Sequence, residues 1–320
     1  MDKSHNQAVR KCRASVFALR LAQIVDIRPR GYRLAAWWAQ THGYDNDQPE
    51  RNWTSFLRGT LPHTKLRGLL IAEIPGLQEA LIDPLWWSLS KLSTDPADRT
   101  FWDSCAEAIE MNGTLLPSCS NSVMNRLCGT PSWTKLGFLL ILLRSGSAKF
   151  AAHREWLRRF LFSYFCIALE PYSIARVAAP LFCCIDTLAK EGLLGEEPLV
   201  NWPKDQQEFM RKLDGYGLMI ELLRYQGWLK HWREDDHVHP LLWLLEQDDG
   251  LWDEFDRSDP LPDRLRMRWH RTKERAGETL VTLTWSQCNQ RGLTLSDKRV
   301  LRRVRLEADW VAAPSPPGVG

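Results

Sequence analysis

Apolar residues recur at intervals of three and four along most of this chain, the spacing that keeps one face of an α-helix dry. Residues 8–27 set Val9, Val16, Leu19, Leu21 and Ala22 among basic positions, which predicts an amphipathic helix with a positive outer face. Further helices are predicted over 34–41, 85–92, 101–111, 131–143, 153–169, 174–190 and 205–232. In the last of these, Phe209, Leu213, Tyr216 and Ile220 hold the helical interval through Gly215 and Gly217. Only TLVTLTW, residues 279–285, alternates and is β-branched, so it predicts the one strand. The expected fold is therefore mainly α, a multi-helix body with one short β element near the C-terminus.

Glycine and proline punctuate this pattern. Arg28-Pro29-Arg30-Gly31 ends the first helix, Gly43 closes the second, and Asp83-Pro84 opens another. Thr94-Asp95-Pro96 marks a boundary loop over 93–98. Four regions follow: an N-terminal domain at 1–92, a helical body at 99–256, a basic segment with the strand at 257–311, and a Pro/Gly tail at 312–320 expected to be disordered.

The most organised stretch is NWTSFLRGTLPHTKLRGLL, from Asn52 to Leu70. On a helix over 50–58, Trp53, Phe56 and Leu57 face inward at i, i+3 and i+4. Arg51, Ser55 and Arg58 then line the opposite stripe, with Asn52 beside them. These side-chain types bond guanine edges, adenine edges and phosphates in a major groove. Gly59 supplies a left-handed stop, Pro62 blocks continuation, and Thr64 is placed to cap a second helix over 65–73 that ends at Pro75-Gly76. The plainer alternative is two small helices packing on each other.

Charge sharpens the picture. Residues 1–70 carry 12 Lys and Arg against 5 Asp and Glu, residues 71–256 carry 17 against 27, and residues 257–305 carry 13 against 5. Two basic ends flank an acidic middle, an arrangement that suits a polyanion partner or docking of the ends on the middle. The 16 tryptophans lie mostly in Leu-rich helical stretches, so they are expected as core anchors rather than as a stacking surface for bases. No apolar run approaches the roughly 20 residues a bilayer needs. Lys3, Arg10, Lys11, Arg13 and Arg20 interrupt any secretory h-region. The eight cysteines form no CxxC pair and are expected as free thiols of a cytoplasmic protein without a membrane partner.

From Leu34-Ala35 through Gly43, the helix carrying Arg51–Arg58, Gly59, Pro62 and the helix over 65–73, the order of elements resembles the helix-turn-helix of the Xre/Cro repressor class. The likeness covers residues of about 33–76. It implies duplex DNA as partner, with Arg51, Asn52, Ser55 and Arg58 facing the groove and Lys65 and Arg67 near phosphates. Seven residues, 44–50, separate Gly43 from Arg51 where the family uses a tighter turn, and Asp45, Asp47 and Glu50 place negative charge there. The long helical remainder would bind a protein partner or form a homo-oligomer. A protein-binding helical scaffold without DNA binding is the second expectation.

A weaker resemblance lies near 235–291. Asp236-His237-x-x-Pro240 has the D-H-x-x-P form of the His-Asn-His nucleases, and Leu280–Leu283 leading to Cys288-Asn289 is similar to that family's second strand and helix. It implies a magnesium ion held by Asp236 and Asn289 and a water activated by His237. Outside that reading no cofactor is expected. The 53 positions between Asp236 and Asn289 exceed what the compact nuclease unit wants. Two further basic segments, 264–275 and 296–305, suit phosphates or a solvated surface equally.

Overall fold

The computed structural model describes residues 3–43, 48–92, 95–169, 175–225, 235–247, 279–283, 287–291 and 293–301. Among these the protein is mainly helical with one small antiparallel sheet. It divides into two units, Met1–Thr94 with Leu293–Gly320, and Asp95–Gly292. The basic segment at 264–275 and the tail at 312–320 lie outside the described residues.

The first unit is organised by α1 (Lys3–Ile24). Val9, Cys12, Val16, Phe17, Leu21 and Ala22 bury one broad stripe. The expected positive outer face holds for Arg10 and Lys11, which are exposed, and fails for Arg13, which is 2% exposed. Against α1 pack α3 (Glu50–Leu57), α5 (Glu79–Ile82) and α6 (Pro84–Ser88). The start of α1 is clamped: His5 Nε2 lies 2.8 Å from the Leu89 carbonyl, and the Asn6 amide bonds both the Lys91 carbonyl and its N–H at 2.9 Å.

Asp83 caps α6 by accepting from Leu85 N at 2.8 Å, with Pro84 in the first turn where no donor is missed. The helix expected to run to 92 stops at Ser88. Ser88 and Ser90 hydroxyls donate back to Leu85 and Trp86 carbonyls, and Lys91 is spent on Asn6, so the helical ladder has lost its next partners. Residues 295–301 form one more helical stretch, opened by a reciprocal Thr294–Asp297 cap in which Asp297 is fully buried.

In the second unit α9 (Trp133–Arg144) is the axis. Every residue from Leu136 to Arg144 is buried, so α9 beyond its first turn has no solvent face and needs neighbours all round. Those neighbours include α7 (Asp95–Glu107) and α10 (Ala151–Leu169). Helix α8 (Asn121–Cys128) precedes α9, and α11 (Ala175–Lys190), α12 (Gln206–Tyr225) and α13 (Asp235–Glu246) follow α10. Phe182 of α11 stacks on Phe209 of α12 with ring centres 4.5 Å apart. Trp202 stacks beside Phe182 and donates its N–H to Asp186 at 3.2 Å.

Three strands form the sheet, in the order β2 (Thr114–Leu115), β1 (Ile109–Met111), β3 (Val281–Leu283). Strand β3 lies within the predicted strand, whereas β1 overturns the helix expected to reach 111. Helix α7 also begins at Asp95, inside the loop expected over 93–98. Residues 109–111 keep helical spacing with α7, which hid the break. The signal was Asn112-Gly113, whose positive φ values of 53° and 75° make the two-residue hairpin turn. Asn112 then fastens the third strand, exchanging two 2.8 Å bonds with Leu280.

His153 on α10 is fully buried, and its ring nitrogens make no hydrogen bond of standard geometry among the described residues. Burial, foremost, and the nearby Lys149 and Arg154 hold its pKa below the ordinary 6.5, while the Pro117 carbonyl pulls the other way. As pH falls through 6.5 the unfolded chain takes up the proton first, so stability is full above that value and declines below it. Urea unfolding followed across pH should show this decline, and His153→Leu should flatten it. An equally steep decline in the variant would assign the effect elsewhere.

Candidate nucleic-acid interface

Helix α3 follows α2 (Gly31–His42) across the segment 43–49 and packs against both α2 and α1. Trp53 is fully buried, with Phe56 and Leu57 beside it, as the i, i+3, i+4 spacing requires. Trp53 meets Trp38 at 5.9 Å, Trp37 at 6.3 Å and Phe56 at 5.5 Å between ring centres. Trp38 stacks on His42 at 3.6 Å, and His42 Nε2 lies 2.6 Å from Glu73 Oε2, which ties the end of α2 to the end of α4 (Thr64–Glu73).

With that face buried, Arg51, Ser55 and Arg58 are exposed on the other, and Asn52 is half-buried between. Ser55 donates its hydroxyl to the Arg51 carbonyl at 2.8 Å, and the Asn52 amide reaches Gln48 Oε1 at 3.4 Å. Glu50 in the first turn complements the helix dipole. On α4, Lys65 is exposed and Arg67 half-buried. The cap of α4 is His63, whose Nδ1 accepts from Leu66 N at 3.3 Å, and Thr64 is the first helical residue rather than the expected cap. Asp45 and Asp47 lie outside the described residues.

Sequence reading missed the basic turn beside α3. A Cβ on Gly31 would strike Thr54 Oγ1 and stand 3.1 Å from the Glu50 carbonyl, so the start of α2 lies directly on α3. That close approach sets exposed Arg30, the residue before Gly31, near the start of α3, and exposed Arg33 follows on α2. Arg33 also sits 5.4 Å from the ring centre of exposed Tyr32 and lowers its pKa, chiefly by a hydrogen bond to the phenol oxygen. At the other end, Gly59 has φ +98°, and a Cβ there would stand 2.8 Å from the Lys11 carbonyl of α1. Lys11, itself exposed, therefore adjoins Arg58.

The nuclease candidates are placed as follows. Asp236 and His237 fall in the first turn of α13, and their side chains lie outside the described residues. Asn289 is exposed in a turn after β3, where its side chain accepts from Arg291 N at 3.0 Å and its own N–H donates to Ser104 at 2.8 Å. No group of three or more His, Cys, Asp or Glu with metal-holding geometry occurs among the described residues. No helix there is long and apolar enough to cross a membrane. Comparison with protein-family models, with curated proteins and with solved structures found no match for the chain.

The close approach at Gly59 can be separated from its backbone conformation. Gly43 has φ +81° with open space around its missing Cβ. Gly43→Ala should cost only the backbone penalty of its φ +81°, ψ 152° conformation, about 1–3 kcal/mol. Gly59→Ala should cost at least about 1 kcal/mol more, because α1 must also move. Equal losses in urea unfolding would mean that α1 and α3 yield freely there.

Proposed function

We propose that the N-terminal unit binds duplex DNA, with α3 entering the major groove and the remaining helices forming a partner-binding body. The observation that carries this reading is the division of α3: three large apolar side chains inward, and Arg51, Ser55 and Arg58 outward on one stripe. Guanidinium forks at the two ends of an eight-residue helix can reach base edges or phosphates across several base pairs. Arg30, Arg33 and Lys11, exposed on the two helices that pack against α3 and on the turn between them, supply the sequence-independent phosphate contacts such binding needs. Within this proposal Asn52 and Ser55 read bases, and Lys65 and Arg67 serve the flanking backbone.

The partner-binding half of the proposal has its own support. On α12, Leu218, Leu222 and Tyr225 are 68%, 47% and 90% exposed at i, i+4 and i+7, an apolar stripe that a second helix could cover. A protein-binding scaffold without DNA contact would rest on this stripe alone.

Fluorescence anisotropy on a labelled duplex tests the reading. Binding should weaken steeply with salt, by roughly 0.9 in log–log slope for each phosphate neutralised. The double variant Arg51→Glu with Arg58→Glu should lose about tenfold or more in affinity, since each base-reading arginine contributes about 1–3 kcal/mol. Unchanged affinity in that variant would remove α3 from the interface.

A further inference from the structure

The second unit contains a cleft of about 450 Å³ between α7, the end of α9, α10 and the turn after α11. Its walls carry four arginines, Arg99, Arg144, Arg154 and Arg158, against three glutamates. The two signs are layered. Arg144 is 4% exposed and the Arg158 side chain 15%, whereas the Glu196 and Glu197 side chains are 87% and 71% exposed. Arg144 and Arg158 are therefore held deep, while the carboxylates stand at the mouth with Arg99, whose side chain is 58% exposed and lies 3.8 Å from Glu196.

Each deep arginine is fixed by the fold. Helix α9 runs buried to its last residue, so Arg144 ends it with the guanidinium 4.0 Å above the Trp102 ring. Stacking engages the face of the guanidinium and fixes its plane. Arg154 and Arg158, one turn apart on α10, point the same way. Arg154 donates to the Ser147 carbonyl at 2.8 Å. Burial and then the neighbouring Arg158 lower its pKa, with Asp103 opposing them. Asp103 is itself spent on the α9–α10 loop, accepting from Ser145 Oγ, Gly146 N and Ser147 N at 2.7, 2.7 and 2.9 Å.

The turn after α11 closes over Arg158. Gly195 has φ +107°, a backbone conformation that favours glycine, and its backbone lies close to the guanidinium, a Cβ there standing 2.9 Å from Arg158 Nη2. Val200 N donates to the Arg158 carbonyl at 2.9 Å, and Glu197 Oε2 takes one donor of the fork at 2.5 Å. Glu197 thus presents to Arg158 the single carboxylate oxygen that an incoming anion would replace.

We propose that this cleft binds a small phosphate-bearing metabolite, its phosphoryl oxygens received by Arg154 and Arg158 beside the buried charge of Arg144, as Glu197 is exchanged off Arg158. Phosphate oxygens match guanidinium forks in geometry and carry more charge than one carboxylate. The cleft has the size of a nucleotide-class site. The exposed carboxylates at the mouth repel an extended polyanion and are passed by a small one, so a metabolite is favoured over nucleic acid.

Isothermal titration of the full chain with pyrophosphate, ADP and citrate tests this. Pyrophosphate and ADP should bind, and citrate should bind at least about tenfold more weakly, because none of its carboxylates gathers three charged oxygens on one centre for two converging guanidiniums. Arg158→Gln should weaken both phosphates about tenfold or more, and Glu197→Gln should tighten them a few-fold by freeing the fork. Thermal unfolding of the same samples checks the Arg158 variant. Should it not fold, the exposed Glu197 variant decides, with unchanged or weaker affinity counting against the site. Absence of pyrophosphate and ADP binding at millimolar concentration, citrate binding as tightly, or displacement of ADP by a short duplex at equal phosphate would each overturn the proposal.

Discussion

Burying an indole is the constraint on which both units depend. The ring needs flat apolar neighbours on each side, and its N–H needs an acceptor or imposes a cost. Trp202 meets both needs, set among Phe162, Phe165 and Phe182 and donating to Asp186, and buried Trp86 meets the second by donating to the Ala80 carbonyl. Trp53 meets only the first: its N–H makes no hydrogen bond among the described residues, and its ring is enclosed by Trp37, Trp38 and Phe56. An anchor of that kind, worth about 3–5 kcal/mol on truncation to alanine, outweighs an unpaired N–H and fixes how α3 rolls. Once the roll is fixed, the direction of Arg51, Ser55 and Arg58 follows without any further interaction.

That dependence explains how much of the molecule could be read from its sequence. The helices were legible because burial imposes the 3.6-residue interval, and the outward stripe of α3 is the complement of Trp53, Phe56 and Leu57. The first strand was not legible from periodicity, since Ile109 and Met111 continue the spacing of α7, and only Asn112-Gly113 betrayed the turn. Arg13 looked like its basic neighbours on α1 and is buried, because charge alone does not state which face a helix turns inward. Arg30 and Arg33 became part of the candidate site only through the contact of Gly31 with α3, a tertiary fact. The arginine cleft was further from reach still, as it gathers residues 99, 144, 158 and 197 from separate elements.

Glycine does in the first unit what tryptophan cannot. Gly31 and Gly59 let α3 be approached at both ends, by the start of α2 and by the middle of α1. A helix of only eight residues has little stability of its own and is held by its neighbours. The same approaches that hold it also carry Arg30, Arg33 and Lys11 to its rims, so the packing of α3 and the basic character of its surroundings have one origin.

The two units place arginine under opposite conditions, and the difference bears on what each could recognise. On α3 the guanidiniums are exposed and solvated, free to adjust, and a polymer with phosphates at regular intervals tolerates such adjustment. In the cleft Arg144 is buried on Trp102 and Arg158 lies against the backbone of Gly195, so the guanidinium planes are fixed before any ligand arrives. Preorganised donors lose little entropy on binding and discriminate sharply by shape. A surface of the first kind suits a long, repetitive anion, and a site of the second kind suits a short one whose few oxygens must all be met. Sequence counts the same residue in both, and only the depth and rigidity of its surroundings tell the two uses apart.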